Sequence, residues 1–164
     1  MSDALDRFNS LPKDEAERQL YSSFANWAWA QEVASDRPYK DIDQLLDVAE
    51  GAWVKLKPGD WLGAFAAHPR IGESGGHAPT TSEREQTGVR QASSGTLAVL
   101  AEENRKYEAR FGHVFLIAAR GRSAEDILYA LRQRMSNDPA TELEVAAKEQ
   151  RKITRLRLLE LLEP

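Results

Sequence analysis

Cysteine is absent from the 164 residues. That excludes a disulfide framework, a thiolate nucleophile and any cysteine-based metal site. The three histidines, His68, His77 and His113, show neither HxxxH nor HExxH spacing, so no zinc site is expected. Phosphate-binding glycine loops are missing too. Gly75-Gly76 is accompanied by neither a P-loop lysine nor a Rossmann pattern, which argues against nucleotide phosphates. No apolar run approaches the ~20 residues that a bilayer span requires. A net charge of −4 gives no excess of positive charge, so neither nucleic acid nor an anionic membrane is expected as a partner. The opening MSDALDRFNSLPKDEAERQL has acids where a signal peptide would have an apolar stretch, and the closing LLEP is no peroxisomal tripeptide. A soluble cytoplasmic protein is the expectation.

What the chain does have is helical periodicity. With 41% apolar and 29% charged residues it has the composition of one ordinary globular domain. After Leu11-Pro12, acids at Asp14, Glu15 and Glu17 mark a helix start. Ala16, Leu20, Phe24, Trp27 and Ala28 then recur at threes and fours as one apolar face, up to a break at Arg37-Pro38. Asp41-Ile42-Asp43 opens a second helix with Leu45, Leu46, Ala49, Trp53 and Leu56 inward. Lys57 to Asp60 reads as a turn, and Trp61 to Ala67 as a short helix. Residues 72–81, GESGGHAPTT, form the one clear loop, and a helix is expected from Ser82. Leu97, Leu100, Ala101, Tyr107 and Phe111 make a stripe that ends at a capping glycine, Gly112. The run 114–119 is β-like, but a lone strand has nothing to pair with, so a buried connector is expected. Ser123 and Asp126 cap a helix carrying Ile127, Leu128, Leu131 and Met135. A last helix after Asn137-Asp138-Pro139 places Ile153, Leu156, Leu159 and Leu162 inward. The fold expected is all-α, a single-domain bundle of about seven to nine helices over residues 1–164.

Few residues invite chemistry. His68 stands at a helix end before Pro69, whose ring forces an extended or turn geometry on it, so the imidazole is presented rather than packed mid-helix. It could move protons near neutral pH or be a plain loop histidine. Ser82 with Glu85 is a capping box, which accounts for both residues structurally. The alternative has Glu85 and Gln86 projecting from a helix N-terminus toward the loop of His68, where free N–H groups favour an anion. Arg120-Gly121-Arg122, at the mouth of the apolar run, suits a carboxylate or is an ordinary surface turn. Asn104, on the stripe of its helix, either satisfies a neighbouring backbone group or faces a pocket; the first is the simpler reading. Arg151, Lys152, Arg155 and Arg157 read as a solvated helix face.

In order and spacing these pieces resemble the 2-oxo-4-hydroxy-4-carboxy-5-ureidoimidazoline (OHCU) decarboxylase family. The signposts are HPRIG (68–72), SEREQ (82–86), NRKYEARFGHVFLIAARGRSAEDIL (104–128) and MSNDPATELEVAAKEQRKITRLRLLELL (135–162). The resemblance covers nearly the whole chain. It implies an all-helical, usually dimeric carboxy-lyase of urate degradation that uses no metal or organic cofactor. Its substrate is a small ureidoimidazoline and its product (S)-allantoin. It also implies that His68 is the catalytic acid/base with Glu85 beside it, and that Pro69 shapes the pocket. Ser82 and Gln86 would bind ureido and ring amides. The connector at Ile117, Ala119 and Arg120 would add contacts, with Arg120 taking the carboxylate. Near 21–29, where many members have cysteine and an arginine–tryptophan pair, this chain reads YSSFANWAW.

Two other readings fit the residues. In a non-catalytic helical interaction domain, His68 and Glu85 would be merely turn and cap. A different helical enzyme would act on another small ureide.

Overall fold

The computed structural model describes residues 3–72 and 84–163. Among them there are helices, turns and extended connectors, and no strand, as the 3.6-residue periodicity requires. The expected loop 73–81 and the cap at Ser82 lie outside the described residues. No described helix is long and apolar enough to cross a membrane. The chain divides into two compact units, one running up to Ala64 and resuming at Ile153, the other spanning Phe65 to Lys152.

In the first unit the helices are α1 (Asp3–Ser10), α2 (Lys13–Ser23), α3 (Trp27–Ser35), α4 (Ile42–Val54) and α5 (Pro58–Phe65). α2 packs on α3, and α3 on α4. Phe24 is fully buried, edge-on to Trp29 at 5.3 Å and tilted against Trp53 at 4.9 Å. The Trp29 indole N–H donates to the Ala49 carbonyl at 3.0 Å, so even the largest ring of this core has its polar atom satisfied.

The single helix expected from Pro12 to Arg37 is two helices. Phe24 turns extended (φ −151°), and Asn26 caps a new start by accepting from the Trp29 N–H at 2.9 Å. Across that break the apolar face does not continue. Trp27 is 47% exposed and stacks on Tyr21 at 4.1 Å. α5 also begins earlier than expected. Pro58 occupies its first turn, where a missing N–H costs nothing, and the Asp60 carboxylate accepts from the Lys57 N–H at 3.0 Å.

The second unit contains α6 (Thr87–Arg90), α7 (Ser94–Phe111), α8 (Ala124–Arg134) and the first part of α9 (Pro139–Leu162), whose remainder belongs to the first unit. α7 and α6 both pack on α8. α7 ends at Gly112 in the left-handed region (φ +79°), and α8 starts at the expected Ser123/Asp126 capping box. Between them the run 114–119 is extended but unpaired. Alternate residues Phe115, Ile117 and Ala119 join Val89, Leu100, Tyr107, Ile127 and Leu131 in one hydrophobic cluster. The connector is thus a core element without being a strand.

α9 corrects two expectations. Its buried positions include Ala146, Ala147, Gln150, Ile153, Thr154, Arg157, Leu158 and Leu162, whereas Leu156 and Leu159 are only half-buried. Steps of three alone drift round a helix by about 60° each, and alternating threes and fours hold one face. Of the basic residues read as a solvated face, Arg151, Lys152 and Arg155 are exposed. Arg157 is 4% exposed and donates to the Ser22 carbonyl.

Candidate active site

The sequence places His68 just past α5, where its N–H closes a turn onto the Phe65 carbonyl at 3.1 Å. The ring is half-buried, with Nε2 2.7 Å from Oε1 of Gln150 on α9. Gln150 has no exposed surface. Pro69 is also half-buried, whereas Arg70 is exposed and held by Glu108 through two hydrogen bonds of 2.6 and 3.1 Å. Ile71 turns back into the cluster, and its carbonyl accepts from the buried Asn104 amide at 3.2 Å. Asn104 therefore satisfies a backbone group, as the simpler reading expected, and also lines a cavity, as the alternative had it.

Gly72, four residues after His68, has φ +93° and donates its N–H to Gln86 Oε1 at 2.8 Å. Gln86 stands at the N-cap position of α6 and is 7% exposed; Glu85 beside it is half-buried. The end of the HPRIG segment is thereby tied to the SEREQ element. Ser82 lies outside the described residues. Along Arg70, Ile71 and Gly72 runs a cavity of about 310 Å³, closed on the α7 side by Leu97, Ala101, Asn104 and Arg105.

The connector residues divide by direction. The Ile117 and Ala119 side chains belong to the hydrophobic cluster, so the groups they can offer a ligand are main-chain ones. Arg120 is exposed at the turn that follows, where Gly121 takes φ +77°. The connector is anchored at several points. Ala118 N–H donates to Glu149 Oε1 at 3.1 Å, Arg122 Nε donates to the Ala118 carbonyl at 3.1 Å, and Arg134 donates to the Leu116 carbonyl at 2.8 Å.

Arg134 is held in turn by Glu142, with Nε and a terminal nitrogen on the same oxygen at 2.9 and 2.6 Å. The Tyr107 hydroxyl donates to that oxygen, and the Asn137 amide reaches the other at 3.1 Å. Burial, reinforced by the Glu142 carboxylate, pushes the Tyr107 phenol far above its ordinary range, so it remains a donor.

α6 sits unusually close to this turn. A Cβ at position 88 would run into the Arg122 carbonyl oxygen and lie 3.1 Å from its carbon, so only glycine permits the approach. Gly88 thereby holds the helix that follows Gln86 against the turn that follows Ala119. Gly88→Ala should separate these two walls. The expected result is a loss of about 1–3 kcal/mol in urea denaturation, together with a higher KM for the site's ligand.

Gln150, Glu149 and Gly88 escaped the reading of the sequence. The two polar residues had one available signal. Helical spacing from Ala146 and Ile153 puts Gln150 on the buried stripe, where a polar group requires a partner.

Residues 9–159 match the model of the OHCU decarboxylase family. Over 140 residues the chain is 36% identical to the 2-oxo-4-hydroxy-4-carboxy-5-ureidoimidazoline decarboxylase of Amia calva, covering 82% of this chain and 79% of that one. It is 34% identical over 139 residues to the uric acid degradation bifunctional protein TTL of Arabidopsis thaliana. That match covers 81% of this chain but only 43% of the longer relative. Among solved structures, that of OHCU decarboxylase in the presence of (S)-allantoin superposes with a TM-score of 0.77. The identity there is 33%, over 88% of this chain and 97% of that one.

Proposed function

The chain belongs to the OHCU decarboxylase family, and on that premise we propose that it converts 2-oxo-4-hydroxy-4-carboxy-5-ureidoimidazoline to (S)-allantoin and CO2 in urate degradation. The observation that carries this reading onto the site is the bond from Gly72 to Gln86. It joins the His68 segment to the element containing Glu85, the two segments that the reaction needs together.

The substrate supplies its own electron sink. Its carboxylate sits on C4, next to a C=N bond. When the C4–carboxylate bond breaks, the electron pair enters the ring and the imine nitrogen takes up charge, so no pyridoxal or thiamin is called for. CO2 leaves. The hydroxyl proton departs from O4 as the carbonyl forms, one proton is added at C5 and one at the former imine nitrogen, and with that net uptake of one proton allantoin is complete. His68 is the acid/base for these transfers, with Glu85 beside it at the substrate. The amides of Gln86 and the hydroxyl of Ser82 hold the ureido group and ring, and Pro69 walls the pocket. Arg120 takes the carboxylate, and main-chain donors around Ile117 and Ala119 steady the developing anion. Addition of the proton from one face is what makes the product a single enantiomer. As is usual in its family, the protein acts as a homodimer, with a solution mass twice the 18.4 kDa of one chain, and it works in the cytoplasm.

The test is stereochemical. Freshly generated urate-oxidation product is given to the purified protein and optical rotation is followed. Rapid appearance of (S)-allantoin is expected; racemic allantoin at the uncatalysed rate would overturn the assignment.

A further inference from the structure

Gln150 is an uncharged polar side chain with no exposed surface, set among Ala146, Ala147 and Ile153 on the inward stripe of α9. A buried amide on such a stripe is costly unless its hydrogen bonds are made. Its carbonyl oxygen lies 2.7 Å from His68 Nε2. An amide oxygen can only accept, so Nε2 must carry the proton, and in the neutral ring the basic lone pair is then on Nδ1.

We propose that Gln150 is the positioning residue of His68: it keeps the proton on Nε2 and makes Nδ1 the nitrogen through which the reaction's proton passes. This rests on the reading of His68 as the acid/base. The uncharged partner suits that task. A carboxylate there would stabilise the imidazolium and hold the ring charged, whereas an amide fixes the tautomer and ring plane and leaves the neutral base available. The charges near it in sequence are themselves engaged, Arg70 with Glu108, and Glu149 with Lys152 at 2.7 Å; Arg151 is exposed.

The test reads nitrogen chemistry directly. Two-bond proton–nitrogen NMR on uniformly 15N-labelled protein, with the His68 signals identified by their loss in His68→Asn, should give a protonated, pyrrole-like Nε2 and a pyridine-like Nδ1. A bare Nε2 with the proton on Nδ1 would mean that the amide donates, and the inference then fails with Gln150 unaltered. In Gln150→Leu the two tautomers should mix, and kcat should fall about 10- to 100-fold, less than the ~10²–10⁴ that the acid/base itself supplies, with KM moving less. Gln150→Glu, which keeps the acceptor, should recover turnover on the alkaline side of the profile. Unchanged tautomer and kcat in Gln150→Leu would overturn the role. Full turnover in His68→Asn with the expected tautomer in the parent protein would instead sink the acid/base reading.

Discussion

His68→Ala and His68→Asn are expected to lower kcat by about 10²–10⁴ while the protein stays folded. The separation of chemistry from stability follows from where the ring lies. His68 is half-buried in a turn after α5 rather than inside the hydrophobic cluster, so no large cavity opens when it is truncated. What the fold loses is the bond to Gln150. Removing one hydrogen bond from a buried amide oxygen costs at most about 1–3 kcal/mol, which lowers Tm by several degrees. It does not unfold a protein assayed at 25 °C with the ordinary reserve of about 5–15 kcal/mol. A loss of two or more decades in kcat must therefore come from proton transfer. Circular dichroism run alongside the turnover assay separates the two. Retention of parental turnover in both variants would remove His68 from the mechanism.

The largest effect on stability is expected at a residue with no assigned part in the chemistry. Glu142 has no exposed surface and accepts from Arg134, Tyr107 and Asn137. Glu142→Ala leaves the Arg134 guanidinium, itself 9% exposed, as an unpaired buried charge, and breaking such a pair costs about 3–5 kcal/mol. That is a large share of the total, and it should appear as a lower urea midpoint with an unchanged slope. Ion pairs on the surface serve as the control. Removing Glu15, paired with the exposed Arg18 at 2.5 Å, should shift the midpoint far less, because solvent screens the pair. Because Arg134 also donates to the Leu116 carbonyl, Glu142→Ala should loosen the connector and raise KM. Equal midpoint shifts in the two variants would contradict the network.

These side chains also mark what was legible in the sequence. Local signals were read correctly because their physics is local. The Ser123/Asp126 box, the Asp41 cap and the glycine stop at Gly112 each satisfy backbone groups within a turn of themselves. The connector at 114–119 was legible because a strand without a partner is excluded in an otherwise helical chain. The break at Phe24–Asn26 was not, since the apolar spacing continues through it. The competing event is a side-chain cap at Asn26, which periodicity does not register. Gln150, Glu149 and Arg157 were missed for a different reason. Each is polar and charged or amidic on a helix read by its leucines, and their partners stand 82, 31 and 135 positions away. Of the candidate site, the segments were legible from resemblance. The contact that links two of them, from the Gly72 N–H to the Gln86 side chain, spans fourteen positions, and no spacing rule predicts it.

The central claim is that the imidazole of His68 and the groups at Glu85, Gln86 and the connector converge on one ligand. A crystal structure of the chain with (S)-allantoin bound tests it most directly. The account predicts the ring amides on Gln86 and Glu85, the ring carbonyl near the connector, and the His68 imidazole within hydrogen-bonding distance of the hydantoin. Allantoin bound elsewhere, with His68 and Glu85 facing separate regions of solvent, would contradict it.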